Sequence, residues 1–156
     1  MSRKNRVTFD IEGLDEVIEM IKKLGDFPDK LVTGAAKAGA EVARKAAKAN
    51  APADTGNLRK GIILRGERKK GAKKVYQIIM DPKMNDVFVK TSASGERYYY
   101  PASIEYGFYT KNGKKVPGVH FLKRALTENH KKIAEVQLRV LSEKIDRELK
   151  KSGKKR

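Results

Sequence analysis

Residues 29–50 constrain the fold most strongly, because their alanine-rich composition favours a helix along the whole segment. Pro28 suits a first helical turn, and Pro52 and Gly56 prevent the helix from continuing. One side of this predicted helix carries mostly small residues: Leu31, Val32, Ala35, Ala38, Gly39, Val42, Ala46 and Ala49. A neighbouring helix or sheet can therefore approach closely along that side.

Two further helices are predicted from apolar residues spaced three and four apart. The first covers residues 14–24 and follows an opening strand at 7–11, in which apolar and polar residues alternate. The other runs from Leu122 to Leu149 and spans about thirty residues, or roughly 45 Å. Because so small a body cannot cover a helix of that length, we expect part of it to pack on another subunit.

The middle of the chain favours β-structure. Residues 62–64 and 75–80 flank a basic loop and predict a hairpin, and residues 87–89 predict a third strand. Asn112 and Gly113 predict a two-residue turn between short strands. The expected fold class is α+β, with an antiparallel sheet of about four strands packed with two N-terminal helices and one long C-terminal helix.

A chain of 156 residues suits a single domain with one hydrophobic core. We assign residues 1–149 to one α+β domain, whose basic hairpin tip at 66–74 is expected to be mobile. Residues 150–156 form a basic tail that we expect to be disordered.

The charge balance points to an anionic partner. Lys and Arg number 36 against 19 Asp and Glu, a net charge of +17. Solubility alone calls for a net charge of only about 2–8. There are two explanations for the cations of the predicted hairpin loop. The one that we favour is that they face DNA or an acidic partner, and the other is that they only keep the loop soluble. They are Arg68, Lys69, Lys70, Lys73 and Lys74.

No motif indicates catalysis, a cofactor or a metal. The chain has no cysteine, and neither His120 nor His130 has the spacing of a metal site or of a nucleophile and its base. We therefore expect a protein that is not an enzyme. No apolar run of about eighteen residues occurs either, so we expect neither export nor membrane insertion.

Seven residues are predicted to form turns or fasten the fold: Pro52, Asp54, Thr55, Gly56, Arg59, Glu105 and Gly107. Pro52, Asp54, Thr55 and Gly56 are read mainly as a turn that ends one helix and redirects the chain. Arg59 and Glu105 either form a charged pair or are each solvated.

Aromatic residues are concentrated between residues 98 and 109. Such residues belong to a core or a subunit interface more often than they stack on bases. The residues that we assign to a subunit interface are Tyr98, Tyr99, Tyr100, Phe121 and Leu122.

Three clusters carry a family resemblance. They are Gly13-Leu14-Asp15-Glu16, the segment Ala51-Pro52-Ala53-Asp54-Thr55-Gly56-Asn57-Leu58-Arg59, and Ile104-Glu105-Tyr106-Gly107 followed by Phe121-Leu122 and Ala125. Their order and spacing over residues 13–126 resemble the tail-component family of long-tailed bacteriophages, which includes neck and tail-completion proteins.

The resemblance implies a virion protein without catalytic residues, made in the host cytoplasm and assembled as a homo-oligomeric ring between the head connector and the tail tube. Its implied partners are a head-closure or connector protein, a tail terminator and the tail tube, with non-specific contact to packaged DNA and none to a membrane. The alternative is a free-standing basic module that binds nucleic acid. An enzyme is the third possibility, and a broad hydrolase or nuclease screen would reveal it.

Overall fold

The computed structural model describes residues 28–54, 56–68, 70 and 73–153. The predicted opening strand and first helix, together with Thr55 and Lys69, lie outside these residues.

Helices and short strands alternate along the described chain. The α-helices are α1 (Pro28–Asn50), α2 (Asn57–Lys60), α3 (Asn85–Phe88), α4 (Tyr100–Tyr106), α5 (Phe121–Thr127) and α6 (His130–Gly153). A 3₁₀ turn covers Pro82–Met84. The strands are β1 (Ile62–Gly66), β2 (Tyr76–Met80), β3 (Val89–Thr91), β4 (Arg97–Tyr99), β5 (Gly107–Tyr109) and β6 (Lys115–Pro117).

The α+β class is confirmed, but the strands of the described residues form three two-stranded antiparallel sheets rather than one four-stranded sheet. They pair as β1 with β2, β3 with β4, and β5 with β6. Helical turns interrupt the later strands, since α3 ends where β3 begins and β4 runs directly into α4. Each strand of these two hairpins has only three residues, at the short end of the usual range.

The β5–β6 turn is one residue longer than predicted. Thr110 and Lys114 close the hairpin through a backbone hydrogen bond of 2.9 Å, which leaves residues 111–113 in the loop. Gly113 has a φ of 74°, as expected for a three-residue loop that ends in a left-handed residue.

The C-terminal segment contains two helices instead of one. Asn129 follows α5, and its Nδ2 donates to the carbonyl oxygen of Ala125 at 3.1 Å. Its backbone nitrogen donates to Leu126 at 3.3 Å. The prediction of one long helix is therefore wrong, because a residue suited to helix ends satisfies the last carbonyls of α5. α6 then continues to Gly153, so residues 150–153 are helical and not a disordered tail.

The described residues belong to two compact units. The first comprises residues 28–42, 65–77 and 130–153, apart from those not described. Its core groups Leu31 and Ala35 with Leu141, flanked by Val140 and Ile145. The single-domain assignment stays a prediction.

The second unit comprises residues 43–64 and 78–129. Its largest fully buried side chains are Ile62, Phe88 and Phe121. The ring of Phe88 meets Tyr99 edge to face, with 6.1 Å between centroids. Such an arrangement favours a defined ring geometry beyond simple burial.

The buried side of α1 agrees with the prediction only in part, since Leu31, Val32 and Ala35 are buried as predicted but other positions differ. Ala36, Ala40, Ala43 and Ala47 are buried, whereas Ala49 is exposed. Alanine occupies nearly every turn and lies on several sides of this helix. The sequence pattern therefore does not identify which side is buried.

Candidate interaction surfaces

The turn after α1 is fastened by Arg59. Its Nε donates to the carbonyl oxygen of Ala51 at 3.0 Å, across the segment that contains Pro52 and Gly56. Gly56 adopts a φ of 73°, a backbone conformation that residues with a side chain rarely adopt. Leu58 and Ala51 are buried at the two ends of the turn. This arrangement gives the segment a structural explanation and requires no ligand.

Glu105 anchors the start of α5. Its side chain is only 3% exposed, and its carboxylate accepts hydrogen bonds from the backbone nitrogens of Leu122 at 2.9 Å and Lys123 at 3.0 Å. These are nitrogens that a helix leaves without intrahelical partners, so the buried carboxylate caps α5 from a distant position in the sequence.

The structure gives Arg59 and Glu105 different partners, so the predicted charged pair is not formed. Solvation of both groups, the other prediction, fails for Glu105 because it is buried and bound to two backbone amides. Arg59 is exposed but directs its Nε to a backbone carbonyl.

The backbone after Glu105 packs against the chain that precedes α5. The nitrogen of Val119 donates to Ile104 at 2.8 Å, and that of His120 donates to the Glu105 carbonyl at 3.1 Å. Gly107 has a φ of 82°, and a Cβ there would lie 2.3 Å from the carbonyl oxygen of Val116. Glycine in this motif therefore permits two backbone segments to approach closely.

His120 occupies a strained position that the sequence did not reveal. Among the described residues it alone, apart from glycines, has a positive φ, at 53°. Its Nδ1 is buried and has no hydrogen-bond partner. The backbone nitrogen of His120 donates to the carbonyl oxygen of Glu105, so this strained residue lies directly before the capped start of α5.

The basic loop of the β1–β2 hairpin is partly engaged within the hairpin itself. The Nζ of Lys74 donates to the backbone carbonyl of Glu67 and lies 5.3 Å from the centre of the Tyr76 ring. Of the predicted anion contacts that the structure describes, Arg68, Lys70 and Lys73 are exposed. Their contact with DNA or an acidic partner stays a prediction.

The predicted aromatic interface residues divide into two groups. Phe121 and Leu122 are buried in the second unit, because the first turn of α5 faces its core, and they offer no free surface. Tyr98 and Tyr99 are exposed in β4, although partial burial raises the pKa of the Tyr99 hydroxyl.

Tyr100 is half-buried at the start of α4. The Nζ of Lys90 lies 4.9 Å from the centre of its ring. Burial raises the pKa of the Tyr100 hydroxyl, and the negative charge of Asp54, together with that of Tyr98 once it is ionised, raises this pKa further. The turn residue Asp54 and the tyrosine cluster thus influence each other electrostatically.

The β5–β6 hairpin presents a second basic and aromatic surface. The sequence pattern favoured a core or an interface for Phe108 and Tyr109 and indicated no role for the lysines beside them. Tyr109 is 70% exposed and Phe108 is 46% exposed. Lys111, Lys114 and Lys115 are exposed beside them. The sequence feature that could have indicated this surface is an uninterrupted stretch of positive charge, because no Asp or Glu occurs between Tyr106 and Thr127.

Within the part of the chain that the structure describes, no group of three or more His, Asp or Glu side chains is placed to hold a metal ion. None of the described helices is long and apolar enough to span a membrane.

Comparison with known proteins identifies a family. The model of the HK97-gp10-like family, described as "Bacteriophage HK97-gp10, putative tail-component", matches residues 15–107. No curated protein and no solved structure matches the chain. The matched range includes the α1–α2 turn, the first two hairpins and Glu105.

Proposed function

The chain belongs to the HK97-gp10-like family of phage tail components, and from this premise we propose that it joins the head connector to the tail as a structural protein of the phage neck. In this role it works by matching surfaces and carries out no chemical step. It is assembled in the host cytoplasm and remains in the virion.

The family match carries the tail role, and the exposed aromatic residues of the second unit support assembly. Phe108 projects from a short hairpin, and Tyr98 lies on another. Aromatic residues are enriched at the centres of protein interfaces, where they bury a large area with little loss of side-chain freedom. These side chains are suited to contacts between subunits or with neighbouring virion proteins.

We propose that the contacts form a homo-oligomeric ring. Head-to-tail contacts between different surfaces of identical subunits close into a ring when the rotation between subunits is suitable. The other partners are a head-closure or connector protein on one side and a tail terminator or the tail tube on the other. A ring also places the basic surface of every subunit near the path of packaged DNA.

Disruption of the gene in a phage that encodes it tests the joining role. Electron microscopy of the lysate should show DNA-filled heads and finished tails that are not connected. Restoring the chain from a plasmid should restore joined particles. Lysates that lack finished tails would point to an earlier step of tail assembly, and normal infectious particles would contradict the proposal.

The charge of +17 favours one alternative, a free-standing nucleic-acid-binding module. Such a module would bind DNA tightly as a monomer, whereas the neck role requires assembly with other virion proteins. Mass measurement in solution, combined with a DNA titration, separates the two. Two observations together would favour the alternative. One is a tight complex of one DNA with each monomer in solution, and the other is the absence of the chain from the phage particles.

A further inference from the structure

Among the residues that the structure describes, none is an acidic partner of the lysines of the β5–β6 hairpin. Lys111, Lys114 and Lys115 lie at or beside the tip and are exposed. None of their ammonium groups pairs with a carboxylate of the described residues, whereas Arg124, farther along the chain, pairs with Glu128 at 2.7 Å. The hairpin therefore concentrates positive charge that nothing within the unit balances.

The strand register places an exposed ring among these charges. Tyr109 pairs with Lys115 across the hairpin, and Phe108 pairs with Val116. Because neighbouring residues of a strand point to opposite faces, Tyr109 and Lys115 share one face and Phe108 lies on the other. At the tip, a Cβ on Gly113 would meet nothing within 4 Å, so the end of the hairpin is slender and open.

We propose that the β5–β6 hairpin binds the phosphodiester backbone of DNA without reading its sequence. Lysine ammonium groups contact phosphates as point charges and require no fixed geometry. A two-stranded β-ribbon is narrow enough to enter the major groove of duplex DNA. The exposed Tyr109 ring can also stack on a base where the strands are separated.

DNA fits this surface better than an acidic protein. Protein interfaces are depleted in lysine and enriched in arginine, and residues 107–117 contain three lysines and no arginine. The β1–β2 loop fits less well, because Lys74 is already bound to the Glu67 carbonyl and stacked on Tyr76.

The inference deepens the proposed function, since it names the surface with which a neck protein touches the DNA that passes through it. It is tested on the purified full-length chain. Failure to bind DNA would therefore leave the joining role open, and failure of the joining role would not alter the binding measurement.

The test measures binding of a fluorescent 20-base-pair duplex and of a single strand of the same length, by anisotropy over a range of salt concentrations. The variant carries Lys111→Gln, Lys114→Gln and Lys115→Gln. Each phosphate contact contributes about −0.9 to the slope of log affinity against log salt, so loss of three contacts should make the duplex slope shallower by about 2–3. Affinity at low salt should fall at least about tenfold.

The matched control removes the same charge elsewhere, with Lys37→Gln, Lys45→Gln and Lys132→Gln on exposed positions of α1 and α6. Its salt slope should stay close to that of the unmodified chain. Equal losses in the two variants would overturn the proposal, because net charge alone would then explain binding.

Poly-glutamate of similar charge serves as the competitor. If it displaces the duplex at equal charge concentration, and binds through the same three lysines, the surface belongs to an acidic protein and the proposal is wrong. Tyr109→Ser should weaken binding of the single strand more than that of the duplex. An unchanged single-strand affinity would remove base stacking from the proposal.

Discussion

Glu105 and Arg59 each hold a separate part of the second unit, and a double-mutant cycle tests this separation. Glu105→Ala removes the acceptor for two backbone nitrogens of α5, so we expect the free energy of unfolding to fall by about 1–3 kcal/mol. Arg59→Ala removes one hydrogen bond to Ala51 and should cost about 0.5–1.5 kcal/mol. Because the two residues share no partner, the losses should add to within about 0.5 kcal/mol.

Urea denaturation of the four proteins in the cycle measures these free energies. A coupling energy well above that limit would mean that the two side chains interact, which was one of the two alternatives that the sequence left open. Glu96→Gln provides a control, because this residue is an exposed carboxylate and its loss should leave stability nearly unchanged.

His120 lies in the left-handed region, which a β-branched residue tolerates poorly. His120→Gly should therefore be neutral or stabilise the fold by up to about 1 kcal/mol, since it removes backbone strain and a buried nitrogen without a partner. His120→Val should destabilise it by about 1–2 kcal/mol. Thermal melting separates the two variants, and equal melting temperatures would show that the backbone at this position adjusts freely.

Two glycines of α1 differ in what a side chain would meet, although both face α6. A Cβ on Gly39 would lie 2.5–2.7 Å from three atoms of Gln137, which is only 2% exposed. A Cβ on Gly34 would meet the end of Lys144, a flexible side chain whose Nζ also donates to Lys30 at 3.3 Å. The same substitution should therefore have opposite effects at the two positions.

We expect Gly39→Ala to lower the free energy of unfolding by about 1–3 kcal/mol through overpacking. Gly34→Ala should raise it by as much as about 1 kcal/mol, because alanine favours the helix and Lys144 can move aside. Chemical denaturation measures both. Adding Gln137→Ala to Gly39→Ala should restore most of the loss, and a lack of rescue would show that the strain lies in the α1 backbone.

Elements with a strong local signal could be predicted from the sequence, and elements decided by distant contacts could not. The alanine-rich composition predicted α1 to within one residue of its start, and the basic loop between β-rich runs correctly indicated the β1–β2 hairpin. The break at Asn129 was missed because Leu126 and Ile133 are seven residues apart, a spacing that also suits a continuous helix.

The candidate site could be predicted only in part. The sequence motifs identified Glu105 and Arg59 as fastening residues but left open whether they pair with each other or are each solvated. Their actual partners are backbone groups, which leave no trace in the side-chain pattern. Phe121 and Leu122 look equally suited to a core and to an interface, and only the position of α5 decides that they are buried.

At the scale of the whole molecule, substitution of exposed aromatic residues should affect assembly of the particle but not the stability of the folded chain. A protein that combines Tyr98→Ser and Phe108→Ser should unfold within about 0.5 kcal/mol of the unmodified chain, because both side chains are exposed. If they are central to an interface, their loss should weaken that contact by roughly 2–4 kcal/mol and reduce the yield of joined particles.

Complementation of a phage that lacks the gene measures this yield, alongside the stability of the purified variant. Leu138→Ser is the matched control, because Leu138 is an apolar residue of comparable exposure on α6. Full complementation by the double variant would place the interface elsewhere on the molecule.

The turn between β3 and β4 has a practical use. Residues 92–96 are small or polar, and a Cβ on Gly95 would meet nothing within 4 Å. Insertions are best tolerated at exposed tips of this kind, where no buried backbone is disturbed. A short epitope placed after Gly95 would allow antibody labelling of intact particles, and its spacing around the particle axis in micrographs would count the copies directly.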